Sequence, residues 1–225
     1  MTKIRVVVVG AKGRMGRTIV DLADGEHVDI VAQCDLGDAV AEAMKDSDVV
    51  IDFSQPDAID AICRGALAAG KALVIGTTGH STEQRQLVEK TARSVPIVFA
   101  SNFSVGVNAL FALSGKAGEI VRDFEVSIVE SHHKTKKDAP SGTAKTLAEI
   151  LQAASGSGTP VRIESIREGD IVGDHSVIFS GPGERLELTH RAASREIFAR
   201  GALRAARWVI GKPAGLYSMQ NVLGL

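Results

Sequence analysis

Two hydrophobic rhythms alternate along the first hundred residues. "IRVVVVG" (4–10) is an unbroken β-branched run closed by Gly10, the pattern of a strand buried on both faces. "RMGRTIVDLAD" follows with Met15, Ile19, Val20 and Leu22 at helical spacing. "HVDIVAQCD" (27–35) and "SDVVIDFS" (47–54) return to strand-like runs, and "PDAIDAICRGALAAG" (56–70) opens on Pro and closes on Gly, as helices do. "KALVIGTTG" (71–79), a helix from Thr82 to Arg93, and "VPIVFASNF" (95–103) continue the alternation. Five strands with helical segments between them predict an α/β fold built on a Rossmann-type, doubly wound parallel sheet.

The pattern changes after Phe103. "SVGVNALFALSGKAGEIVRD" (104–123) predicts a long helix with Val107, Leu110, Phe111 and Leu113 on its apolar side. "FEVSIVESHH" (124–133) sets Phe124, Val126, Ile128 and Glu130 against Glu125, Ser127, Val129 and Ser131, an imperfect alternation with one face better buried. A helix over 142–154 and a flexible turn, "SGSGTP" (155–160), come next. "VRIESIREGD" (161–170), "DHSVIFSG" (174–181) and "ERLELTHRA" (184–192) are strands with no helix between them, which predicts a mixed or antiparallel sheet in a second domain. The last amphipathic segment (194–211) predicts a helix that returns to the first domain.

Composition narrows the partners. The chain has 225 residues, 44% hydrophobic and 24% charged, an ordinary globular profile. Lys and Arg total 26 against 27 acidic residues, so no polyanion such as nucleic acid is called for, and 4% aromatics supply few stacking platforms. The apolar run near the N-terminus is too short for a signal peptide, and no segment approaches the ~18 apolar residues of a membrane span. Cys34 and Cys63 are the only cysteines, so a cytoplasmic protein with reduced thiols is expected.

The turn "GAKGRMG" places glycines at 10, 13 and 16 between a strand and a helix. Such glycines let a backbone approach a pyrophosphate seated on the helix N-terminus, although loop glycines can also be purely structural. Asp35, at the end of the second strand, suits the hydroxyls of an adenosine ribose, whereas Lys12 and Arg14 suit a 2′-phosphate. Both NADH and NADPH are therefore expected as cofactors. "GTTG" (76–79) and "ASNF" (100–103) end the fourth and fifth strands, where ligands of open parallel sheets bind.

"ESHHKTKKDAPSGTA" (130–144) concentrates proton carriers ahead of a helix. Adjacent histidines diverge, and no H-x₃-H or C-x-x-C completes a zinc shell around them; Glu130 and Asp138 are possible ligands, but no metal site is expected. Lys134 and Lys137 fit a solvated basic loop. Pro140 and Ser141 precede a helix whose first N–H groups belong to about Gly142 and Thr143, an anion seat suited to a substrate carboxylate. Histidine exchanges protons at neutral pH, and Lys136 supplies a charge or, with its pKa lowered by neighbouring cations, a proton. A hydride-donating domain and such a pocket together imply a reductase of a small, anionic, unsaturated substrate.

That stretch closely resembles the signature of the 4-hydroxy-tetrahydrodipicolinate reductase (dihydrodipicolinate reductase) family. "VVGAKGRMGR", "VVIDFSQP", "VIGTTG", "IVFASNFSVGVN", "IREGDIVGDH" and "GERLELTHRAASR" fall in the family's order over nearly the whole chain. The resemblance implies a dinucleotide-binding domain over 1–103 and 195–225, and a substrate-binding and oligomerisation domain over 104–194 of a homotetramer. It implies NAD(P)H-dependent reduction of a cyclic dicarboxylate in the diaminopimelate route to lysine, with loss of water. His132 corresponds to the family's catalytic acid/base and Lys136 to its proton donor. His133, Ser141, Gly142 and Thr143 correspond to substrate contacts. Cofactor contacts correspond to Gly10, Ala11, Lys12, Gly13, Arg14, Met15, Asp35, Gly76, Thr77, Thr78, Ala100, Ser101, Asn102 and Phe103. Two departures stand out: Lys12 replaces a glycine common in the family, and no Arg follows Asp35 in a shortened connection. Another Rossmann reductase, such as an amino-acid dehydrogenase, would leave the second-half motifs unexplained; a nucleotide-sensing or CoA-binding module would lack the proton donors.

Overall fold

In the computed structural model, which describes residues 3–156 and 160–225, the β-branched run forms β1 (Ile4–Val9) of a six-stranded sheet. Its other strands, numbered in chain order, are β2 (Val28–Cys34), β3 (Val49–Asp52), β4 (Ala72–Ile75), β5 (Pro96–Phe99) and β10 (Gly215–Tyr217). Their spatial order is β2–β1–β3–β4–β5–β10, every neighbouring pair parallel. The order reverses between β1 and β3, so the glycine turn after β1 lies at the switch point of the sheet.

β1 shows no alternation because both of its faces are covered. Val6 and Val8 join Val49 and Ile51 beneath α1 (Arg14–Leu22) and α7 (Glu196–Val209). Val7 and Val9 join Val50, Leu73 and Ile75 beneath α3 (Ile59–Ala69) and α4 (Thr82–Ala92). Each such valine contributes about 1.5–3 kcal/mol by its burial. The helices end where their residues dictate: Gly70 closes α3 in the left-handed region, and Ser81 with Gln84 forms a capping box at α4.

α7 reaches this core through small residues. Ala199, Ala202, Ala205 and Ala206 are fully buried, and a Cβ on Gly201 would lie 1.8 Å from the Phe103 carbonyl oxygen. Glu26 accepts from both Arg200 (2.8 Å) and Arg207 (3.0 Å), tying the helix down. Two elements lie beyond the five-strand pattern: β10, which adds a sixth strand, and α8 (Met219–Leu223). The stretch after Asp35 also forms a short helix, α2 (Val40–Ala43), where periodicity predicts no element.

The chain divides into two compact units, Met1–Ser104 with Glu196–Leu225, and Val105–Arg195. The second contains α5 (Val105–Ile120), β6 (Glu125–His132), α6 (Gly142–Ser155), β7 (Arg162–Arg167), β8 (Asp174–Gly181) and β9 (Glu184–Arg191). Its sheet runs β7–β6–β8–β9, with β6 and β7 parallel and the other pairs antiparallel. Of the turn expected over 155–160, residues 157–159 lie outside the described residues.

One face of this sheet changes character along its length. Ile128, Val177 and Phe179 pack with Val107, Leu110 and Phe111 of α5 and Leu147 and Leu151 of α6. Toward the carboxyl end of β6 the same face carries Glu130 and His132, with Ser165 and Arg167 opposite on β7 and His175 opposite on β8. The other face presents Ser127, Val129, Arg162, Glu164, Ile178 and Arg185 to a groove of about 750 Å³.

Candidate active site

In the first unit, the expected cofactor residues gather at the carboxyl ends of β1, β2, β4 and β5. Gly10 adopts φ +81°, and its N–H donates to the Cys34 carbonyl at 2.8 Å. A side chain here would be strained and would meet the Phe53 carbonyl oxygen at 2.5 Å. A Cβ on Gly16 would stand 2.1 Å from the Gly10 oxygen, so α1 begins almost in contact with the turn. Gly13 is the N-cap of α1. The cradle thus fits a pyrophosphate: backbone is exposed at a helix N-terminus and glycine permits its close approach.

The Asp35 carboxylate accepts the Lys12 N–H through both oxygens, at 3.3 and 3.1 Å, which joins the end of β2 to the glycine turn. Lys12, Gly13, Arg14, Thr78 and Ser101 are exposed, and Met15, Gly76, Ala100 and Asn102 are half-buried. Ala11, Thr77 and Phe103 are buried. Phe103 packs its ring 5.6 Å from that of Phe53, so the side chains of Ala11 and Phe103 belong to the floor of the site. A residue that sequence reasoning passed over lies close by. Asp52, buried at the end of β3, accepts from the Ser54 N–H (3.0 Å) and hydroxyl, and burial pushes its carboxyl upward.

In the second unit, His132 ends β6, and the loop to α6 carries His133 and Lys136. Glu130 is fully buried. One oxygen of its carboxylate meets His132 Nδ1, and the other accepts from Arg167 Nη2 at 2.7 Å and the Ser141 N–H at 3.3 Å. Burial opposes ionisation, yet bonds from Arg167, Ser165 and His132 hold Glu130 down at about 2. It is therefore an anion near neutral pH, and the bond to it puts a proton on His132 Nδ1. Burial lowers the His132 pKa, with Glu130 pulling the other way and Lys136 and Arg167 adding to the lowering.

His175 stands edge-on to His132, ring centroids 5.2 Å apart, with its Nε2 3.3 Å from the Ser141 hydroxyl. Burial and the neighbouring His132 depress it to about 3. The Lys136 ammonium lies 2.8 Å from the Asp138 carboxylate, so its nearest charged partner is an anion and not the cations the sequence suggested. His133 Nδ1 pairs with the Thr135 hydroxyl at 2.7 Å. Lys134 and Lys137 are exposed.

α6 begins where the anion seat is expected. Ser141 is its N-cap and accepts from the Ala144 N–H at 3.2 Å, while its own N–H points to Glu130. Ser141 is buried and its polar atoms are committed, so it braces the seat formed by the N–H groups of Gly142 and Thr143. Glu130, His132 and His175 each place one ligand atom within 4.8 Å of the others, close enough to surround a metal ion. Both Glu130 oxygens are already bonded, one to a guanidinium, so this donor set is arranged to hold protons.

A glycine cradle on a parallel sheet and a proton-handling cluster beside an anion seat are the working parts of a nicotinamide-dependent oxidoreductase. Comparison with known proteins identifies which. The profile described as dihydrodipicolinate reductase, N-terminus, matches residues 4–103, and that described as dihydrodipicolinate reductase, C-terminus, matches residues 106–223. The 4-hydroxy-tetrahydrodipicolinate reductase of Akkermansia muciniphila is 46% identical over 242 residues, spanning 99% of this chain and 98% of that one. That of Aquifex aeolicus is 41% identical, over 99% of both chains. The chain belongs to the dihydrodipicolinate reductase family.

The fold is likewise similar to the solved structure of a dipicolinate-bound dihydrodipicolinate reductase from Paenisporosarcina sp. TG-14. The TM-score is 0.81 at 24% identity, covering 97% of this chain and 99% of that one. Aspartate dehydrogenase from Thermotoga maritima shares the architecture more loosely, with a TM-score of 0.55 at 16% identity, covering 93% of this chain and 98% of that one.

Sequence reasoning missed Arg167, His175 and the structural role of Glu130. Arg167 and His175 both lie within "IREGDIVGDH", a stretch matched to the family with no role attached to it. The break in alternation at Glu130 was the available signal, since a carboxylate on the buried face of a strand requires a partner.

Proposed function

We propose that the protein reduces 4-hydroxy-tetrahydrodipicolinate to tetrahydrodipicolinate with NADH or NADPH, releasing water, in the diaminopimelate route to lysine. The carrying observation is the grouping of Glu130, His132 and Lys136 at the junction of β6 with the N-terminus of α6, in a chain that matches both halves of the family.

On this reading the first unit binds the dinucleotide through Gly10–Met15, Asp35, Gly76–Thr78 and Ala100–Phe103. The second binds the substrate, its carboxylates held by His133 and by the α6 N-terminus at Gly142 and Thr143, with Ser141 bracing that turn. When bound, the reduced nicotinamide supplies the hydride that replaces the C4 hydroxyl. The departing hydroxyl needs one proton to leave as water. On this reading its delivery falls to the Lys136 ammonium and the Nε2 of a protonated His132. Orienting the substrate contributes at least as much as the acid catalysis.

The same reading includes a cytoplasmic homotetramer. The homotetramer part of it is supported by the second sheet's open face, whose groove of about 750 Å³ is lined by charges of both signs, Glu125, Arg162, Glu164 and Arg185. Cys34 and Cys63 are free and buried. No helix among the described residues is long and apolar enough to cross a membrane.

The test is loss of reduced-nicotinamide absorbance upon adding 4-hydroxy-tetrahydrodipicolinate, run in parallel with aspartate and the oxidised cofactor. Turnover with the first substrate alone is expected. Turnover with aspartate alone would overturn the assignment, and cofactor binding without any turnover would favour a sensing module.

A further inference from the structure

Among the side chains around the proton carriers, Arg167 is bonded to the supports of both. Its Nη2 donates to Glu130 at 2.7 Å and to the Asp138 carbonyl at 2.7 Å, while Nη1 donates to the Ile166 carbonyl at 2.7 Å. Glu130 in turn holds His132 Nδ1, and the Asp138 carboxylate holds the Lys136 ammonium. The backbone repeats the connection: the Glu168 N–H donates to the His132 carbonyl (2.9 Å), the His133 N–H to Ile171 (2.7 Å) and the Lys134 N–H to Gly169 (3.3 Å). The loop that follows β7 therefore clasps the loop that carries the proton groups.

We propose that Glu130 and Arg167 are positioning residues for the reaction: Glu130 fixes the Nδ1–H tautomer of His132, leaving Nε2 as the working atom, and Arg167 holds that pair and the Lys136 loop in one register. The inference rests on the reading of His132 as the acid/base. A buried carboxylate that accepts from an imidazole orients the ring and selects its tautomer. Space at the working atom is kept by backbone: a Cβ on Gly173 would stand 3.0 Å from His132 Nε2. The charged and titratable groups facing this pair are Lys136 and Asp138 on the loop, Arg167 on β7 and His175 on β8.

The test compares Glu130→Gln, Arg167→Lys and His132→Gln in the full-length enzyme. In Glu130→Gln the carboxamide oxygen stays with Arg167 and its NH₂ faces His132, which drives the imidazole proton to Nε2. We expect kcat to fall at least about thirtyfold, with KM for substrate and Kd for NADH within about threefold of the parent. The pH dependence of kcat should lose its His132 limb, and imidazole ¹⁵N shifts should move the proton from Nδ1 to Nε2. In Arg167→Lys one ammonium replaces a two-nitrogen fork, and kcat should drop at least about tenfold.

Adding Glu130→Gln to His132→Gln should cost little more than His132→Gln alone. Additive losses, or an unchanged tautomer in Glu130→Gln, would overturn the positioning role. Near-normal turnover in His132→Gln would instead overturn the acid/base reading beneath it. If Glu130→Gln fails to fold, the split between kcat and KM in Arg167→Lys decides the matter: a loss confined to KM refutes the inference.

Discussion

His175 offers a quantitative test of how the site is built. It faces Glu130 across the β6–β8 pair, is 3% exposed, and has an Nδ1 with no hydrogen-bond partner among the described residues. Burial, reinforced by His132, holds it at about 3. An unfolded chain titrates histidine near pH ~6.5. The folded-state value is depressed, so its stabilising contribution is complete above pH ~6.5. Below that the unfolded chain takes up a proton the folded chain refuses, and stability declines as pH falls toward about 3.

Linkage puts the loss at ~2 kcal/mol between about pH 8 and about pH 5, rising to ~5 kcal/mol once both states are protonated. His175→Gln removes the titrating group. Urea unfolding of both proteins at about pH 8, 6.5 and 5 should give a parent curve steeper by ~1.4 kcal/mol per pH unit below about pH 6. His132 and His190, also lowered by burial, are present in both proteins, and because both act on His175 the difference between the curves reads His175 together with that coupling. Parallel curves would refute the reading of His175 as a neutral imidazole enforced by burial.

The remaining predictions concern the two binding halves. Lys136→Ala should lower kcat by about a hundredfold or more while leaving the NADH Kd unchanged by fluorescence titration; near-normal turnover would remove its proton-donor role. Gly16→Ala, whose Cβ would sit 2.1 Å from the Gly10 oxygen, should cost about 1–3 kcal/mol and weaken NADH binding, read by Tm and Kd. NADH and NADPH should give kcat/KM values within about tenfold, or ~1.4 kcal/mol, of each other. Lys12→Ala should reduce the NADPH value more than the NADH value, and an unchanged ratio would show that Lys12 does not meet the 2′-phosphate.

Much of the first unit was legible because its signals are local. A valine run that needs cover on both faces, a glycine turn and a proline–glycine-bracketed helix each specify themselves within a few residues. β10 was not legible: "GLY" (215–217) is too short to show a period and becomes a strand by pairing in parallel with β5. α2 is equally short, four residues in a polar connection.

In the second unit, sequence alone determined the residue types at the site: two histidines, a lysine and a helix N-terminus within a single stretch of fifteen residues. Only the tertiary structure decided how they are held. Glu130 and Arg167 are 37 positions apart in the chain and 2.7 Å apart in space, because the β6–β7 ladder puts both on the face that is apolar core at one end and acid/base cluster at the other. Lys136 received an anionic partner, and His175 was brought opposite Glu130 by strand register. Local sequence encodes which groups can carry protons. Their ionisation, and the tautomer each presents, follow from burial and from partners that the folded sheet brings together.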